Sequence, residues 1–116
     1  MRAFIKEKKS LIQLNVVFCP DKYLLGINKK FLRHNFFTDI ITFQYNKRNA
    51  SVEGEIFISV ERVRSNSEKF GVTLRDELHR VLIHGVLHLC GYADHSSKAK
   101  AIIRKKEDLY LHLRDF

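Results

Sequence analysis

Cysteine occurs only twice in the 116 residues, at Cys19 and Cys90, too few and too far apart for a disulfide framework. Both are expected to be free thiols that serve as small packing residues in a reducing cytoplasm. Proline occurs once and glycine five times, which excludes collagen-like and low-complexity chains. No apolar run approaches the ~18 residues that a membrane span requires. The basic start Met1–Lys9 runs into a stretch broken by Gln13 and Asn15 and shows no small-residue cleavage site, so no secretory leader is expected. Repeats and Ser/Pro-rich linkers are missing too, and a chain of this size buries about two-thirds of its surface in one core. A single domain over residues 1–116 is expected.

Acidic residues are in the minority. Thirteen Asp and Glu face 21 Lys and Arg, a formal net charge of +8. Such an excess suits a polyanionic partner, and it equally suits a small protein kept soluble by its charge. Composition does not decide between them.

Ser10–Phe18 alternates apolar and polar residues and stops at Pro20, the pattern of a half-buried strand. Asp21 then reads as the cap of a helix to about Leu32, with Leu24, Leu25, Ile27, Phe31 and Leu32 on its apolar face. Asp39–Tyr45 and Glu55–Val60 are β-rich runs joined by a polar turn over Asn46–Gly54. A short helix over about Val60–Phe70 should end at Gly71. Thr73 and Asp76 form a capping-box pattern opening a helix to Leu89 or Cys90, where Gly91 is the natural left-handed stop. Ser96 or Ser97 caps a last helix, Lys98 to about Leu113, expected to face inward through Ile102, Leu109 and Leu113. The fold class that follows is α+β, with helices around a mixed sheet of about four strands, one of them not located in the sequence.

His84 and His88 lie four apart on the long helix, a spacing that stacks both imidazoles on one face with Cβ atoms ~6 Å apart. Two imidazoles so placed can grip one metal ion, as on the metal-binding helix of zincins, and they also fit an ordinary amphipathic helix. Three further features favour the metal. Gly85 sits between them, where glycine costs ~1 kcal/mol against alanine unless something approaches closely. Gly91 turns the chain immediately after the helix. Asp94 and His95 then supply oxygen and nitrogen donors. Asp94 also fits the cap of the last helix, and His95 also fits an exposed loop residue.

The run HGVLHLCGYADH from His84, read with TDIITF at Thr38–Phe43 and GEIFIS at Gly54–Ser59, resembles the YbeY family of metal-dependent endoribonucleases. The resemblance covers about Leu11–Leu113 with the motifs in the family's order. It implies a four-stranded sheet flanked by helices, one zinc or other divalent transition-metal ion, and single-strand-specific RNA cleavage. It also implies a role in ribosomal RNA maturation and ribosome quality control, with the small ribosomal subunit as partner. Two departures stand out. The family's last ligand, ten residues after the first histidine, falls on Asp94, one position before His95. We take Asp94 as the third ligand, with His95 as the alternative, because a carboxylate also ligates zinc and no insertion is then needed. The family's Asn-x-x-Tyr-Arg pattern, counted from Asn28, places Leu32 where the arginine would be and displaces Arg33 by one, ~100° of helix rotation.

Gly85 occupies the place of the general-base glutamate in H-E-x-x-H peptidases, which argues against peptide hydrolysis. The chemistry then falls to a metal-bound water, with no side-chain base identified. Lys29, Lys30, Arg33, Lys47 and Arg48 are the candidate phosphate contacts. The runner-up is a non-catalytic RNA- or ribosome-binding assembly factor with a structural metal.

Overall fold

The computed structural model describes residues 10–45 and 51–114, with side-chain surroundings over 13–45 and 52–114. The elements run β1 (Ser10–Cys19), α1 (Asp21–Leu32), β2 (Ile40–Gln44), β3 (Ser51–Ser59), α2 (Val60–Phe70), α3 (Leu74–Leu89) and α4 (Ser97–His112). The sheet has the order β1-β3-β2, with β1 parallel and β2 antiparallel to β3. Among the described residues it has three strands, so the α+β class stands while the expected fourth strand is not found there. The central strand is also longer than expected. Ser51–Gly54, read as part of a turn because it is polar, pairs with β1 along its length and with β2 at Gly54, and the alternate positions Val52, Gly54, Ile56 and Ile58 are all buried.

Those alternate positions split the core into two layers. Val52, Ile56 and Ile58 join Val81, Ile83, Val86, Leu87 and Leu89 of α3, with Ile103 and Tyr110 of α4. On the opposite face Cys19 and Ile41 meet Leu24 and Ile27 of α1, with Phe43 and Phe57 packed alongside. Both cysteines are buried. α3 lies close on the sheet because Gly85 lets it: a Cβ there would come within 2.6 Å of Ile40 Cδ1 and 3.2 Å of Ile56 Cδ1. The glycine between the histidines thus answers to strand packing.

The helix ends follow the sequence signals in part. Thr73 Oγ1 accepts the Asp76 amide, Ser59 caps α2 and Gly71 ends it at φ +67°, while Gly91 turns at φ +106° after α3. Asp21 is not the cap of α1. Pro20 holds that position, and the Asp21 carboxylate instead accepts from Arg62 Nη2 at 2.7 Å and Ser59 Oγ at 2.9 Å, tying the starts of α1 and α2 together. The inner face of α4 is also one residue away from expectation. Ile103, Glu107 and Tyr110 are buried, whereas Ile102 and Leu109 are more than two-fifths exposed. On α1, Phe31 and Leu32 are exposed and the polar Asn28 is buried. In both helices a buried polar residue occupies a turn that the apolar pattern assigned elsewhere.

Candidate metal centre

α3 carries His84 and His88 on successive turns, and the 91–96 loop brings Asp94 back over them. His84 Nε2 and His88 Nε2 are 2.9 Å apart, and Asp94 Oδ2 lies 3.4 Å from the first and 3.3 Å from the second. Zinc bonds of about 2.0–2.2 Å at tetrahedral angles would hold donor atoms about 3.4 Å apart, so this triangle has the size a single ion needs. One carboxylate and two imidazoles also match a divalent metal in kind. His95 is exposed and stands outside this cluster.

Glu107, on the buried face of α4, contacts His84 Nδ1 at 2.5 Å. Accepting the Nδ1 proton fixes the tautomer and leaves the Nε2 lone pair facing the triangle. Arg80 Nη1 donates to the other oxygen of Glu107 at 3.0 Å, and its Nη2 donates to Asp108 at 2.8 Å. Burial opposes charging His84, yet the hydrogen bond and charge of Glu107, aided by Asp94 and Asp39, outweigh it and raise the imidazole above its ordinary value. For Glu107, burial pulls upward and is outweighed by His84 and Arg80, which bring the carboxyl below its ordinary value. Asp39 and Glu77 are both pushed up, first by burial, and Glu77 further by the charge of Asp39.

Two clefts meet at His84 and Asp94. One, of about 380 Å³, runs along α3 and α4 past Glu77, Arg80, Arg104 and Glu107. The other, of about 320 Å³, opens toward α1 and β2 and is lined by Asn28, His34, Phe36, Thr38 and Asp39 together with His84, His88 and Asp94. Thr38 and Asp39 of the TDIITF run thus reach the site. Lys29 and Lys30 are exposed in the last turn of α1, and Arg33 follows as its C-cap at φ +57°, so none of the three lines a cleft. Lys47 and Arg48 lie outside the described residues.

Sequence reasoning missed Glu107. Ile103, Glu107 and Tyr110 recur at i, i+4 and i+7, a helical stripe as regular as the one preferred, but one that requires a buried carboxylate. The basic partner Arg80, one turn before His84, was the available signal for it.

The sequence matches the family Endoribonuclease YbeY over residues 1–114. The chain belongs to the YbeY endoribonuclease family. It is 51% identical over 111 residues to the Endoribonuclease YbeY of Cytophaga hutchinsonii, covering 96% of this chain and 78% of that protein. With that of Karelsulcia muelleri the identity is 50% over 106 residues, or 91% of this chain and 74% of that one. The solution structure of TM1509 from Thermotoga maritima superimposes with a TM-score of 0.69 at 28% identity, covering 96% of this chain and 73% of the other. The three-stranded sheet and the helix bearing the two histidines are therefore a YbeY-like fold.

Proposed function

We propose that this YbeY-family chain is a zinc-dependent endoribonuclease that cuts single-stranded RNA. Its place would be ribosomal RNA maturation and ribosome quality control in the cytoplasm, acting with the small ribosomal subunit. The observation that carries the reading is the triangle of His84 Nε2, His88 Nε2 and Asp94 Oδ2 at the meeting point of two clefts, in a chain of net charge +8. Among the described residues no helix is long and apolar enough to cross a membrane.

His84, His88 and Asp94 would hold the ion, which supplies Lewis acidity at a phosphoryl oxygen and acidifies water toward pKa ~7. Glu107 keeps the His84 ring in one tautomer and one orientation, and Arg80 holds the other carboxylate oxygen of Glu107. Asp39 lies on both clefts, and its side chain is held by Asn66 Nδ2 at 3.3 Å. Burial pushes its carboxyl above the ordinary value, against the opposing charge of His84. A charge at position 85 would point at Ile40 and Ile56 in the sheet, so the helix cannot supply the peptidase base from that place.

The test pairs metal analysis with cleavage. Protein purified without added zinc or nickel should carry about one ion per chain and cut single-stranded RNA in preference to duplex. A chelator should remove both properties, and added zinc should restore them. His84→Ala should lose stoichiometric metal and cleavage together. Undiminished cleavage by metal-free His84→Ala protein would overturn the reading.

A further inference from the structure

The α1 side of the cleft carries an aromatic feature that holding a metal does not require. The His34 and Phe36 rings stack with centroids 5.1 Å apart and planes 20° from parallel. Both line the cleft that contains His84, His88 and Asp94, yet Phe36 remains 55% exposed. The loop beneath is fastened: the Asn28 side chain, 2% exposed on α1, donates through Nδ2 to the Phe36 carbonyl at 2.9 Å, and the Asn28 backbone carbonyl accepts the His34 amide at 3.1 Å. The buried Asn28 thus secures the backbone of the loop that carries both rings.

We propose that His34 and Phe36 form a stacking step for an unpaired RNA base beside the metal centre. The proposal rests on the ribonuclease reading above. Every base has a π-face, so an aromatic step binds single strands with little regard to sequence, typically next to cations that track the backbone. Lys29 and Lys30 stand exposed in the last turn of the same helix that holds the loop. Charge complementarity selects the occupant: a base brings its phosphates, and the chain's net charge of +8 attracts them. A duplex cannot use the step, because both faces of each internal base are covered by its neighbours. The step therefore gives single-strand preference a physical origin in this chain.

The zinc-loaded protein is assayed with single-stranded oligoribonucleotides of equal length carrying either bases or abasic sugars around the cleaved bond. Phe36→Ala should raise KM about tenfold, about 1.4 kcal/mol, while kcat changes less than about twofold. Metal content should stay as in the parent. Phe36→Trp should keep the parental KM. Because the chain has no tryptophan, the emission of that variant reports the step alone, and it should fall with base-bearing RNA and not with abasic RNA. Abasic substitution should raise the parent's KM and leave that of Phe36→Ala unchanged. A parental KM in Phe36→Ala, or tryptophan emission indifferent to bases, overturns the proposal while cleavage by the parent leaves the ribonuclease reading intact. A parent that binds zinc but neither binds nor cuts RNA removes both. A dimer lost in Phe36→Ala at unchanged KM assigns the rings to self-association and overturns the step.

Discussion

The wall formed by α3 and α4 and the wall formed by the end of α1 and its following loop border two clefts that meet at His84 and Asp94, but they are built differently. On the first, His84 meets Glu107, Glu107 meets Arg80 and Arg80 meets Asp108, so charges are paired around a largely buried carboxylate. On the second, Phe36 is exposed in the cleft and only the backbone beneath is secured, by Asn28, while the cations Lys29, Lys30 and Arg33 stand exposed outside the cleft lining. The contrast separates two tasks. A metal ligand must be oriented before anything binds, which calls for a rigid, paired surrounding. A flexible polyanion is gathered by exposed charge and ring faces, which cost little to keep open at the surface.

The sharpest way to break this division is Glu107→Gln, which keeps the shape and removes the charge. Zinc affinity should fall about 10- to 100-fold, as for other residues that orient a ligating histidine. The affinity of zinc-loaded protein for RNA should barely change. Competition with a chelating dye measures the first, and filter binding at saturating zinc measures the second. Equal losses in both would mean that the walls are not separable.

Reversing charge at Lys29, Lys30 and Arg33 should act on the opposite wall. If each neutralises one phosphate, the log–log slope of single-strand binding against salt should flatten by about 0.7 per residue, roughly 2 in all. Zinc content should be unaffected. An unchanged slope would assign these residues to a merely solvated surface.

The smallest effect, and the one confined to the first wall, is on pH dependence. In metal-free protein the His84 pKa is raised above 6.5, burial being outweighed by Glu107, so the stability it contributes is full below that value and is lost as pH rises through the raised one. Glu107 is lowered from 4.5, so its contribution is present above that value and is lost as pH falls through the lowered one. The melting temperature of metal-free protein should therefore pass through a maximum between these limits. Zinc affinity should rise with pH through the His84 titration, since the ion requires the neutral ring. Thermal melts of parent and Glu107→Gln protein across pH 4–9 check the sign, and an upward drift above the His84 titration would refute the pairing.

The legible parts of the molecule were those set by local periodicity. Thr73, Gly91 and the spacing of His84 and His88 define α3 and its histidine face, because capping and helical repeat act within a few residues. Less legible were the choices made by packing at a distance. Val52 and Gly54 extend β3 because buried positions await them, although Ser51 and Glu53 read as turn. Ile103, Glu107 and Tyr110 turn inward in place of Ile102 and Leu109 because His84 and Arg80 offer the carboxylate partners across the helix interface. The cost of Gly85 in a helix is legible in the sequence, but its reason lies in Ile40 and Ile56 on other elements.

We propose that Asp94 completes a metal site with His84 and His88. Stoichiometric zinc titration of Asp94→Ala and His95→Ala, each beside the parent, tests it directly. Asp94→Ala should bind zinc far more weakly and lose RNA cleavage, while His95→Ala should titrate to about one ion per chain with parental affinity. Loss of zinc in His95→Ala with retention in Asp94→Ala would contradict it and make the histidine one residue later the third ligand.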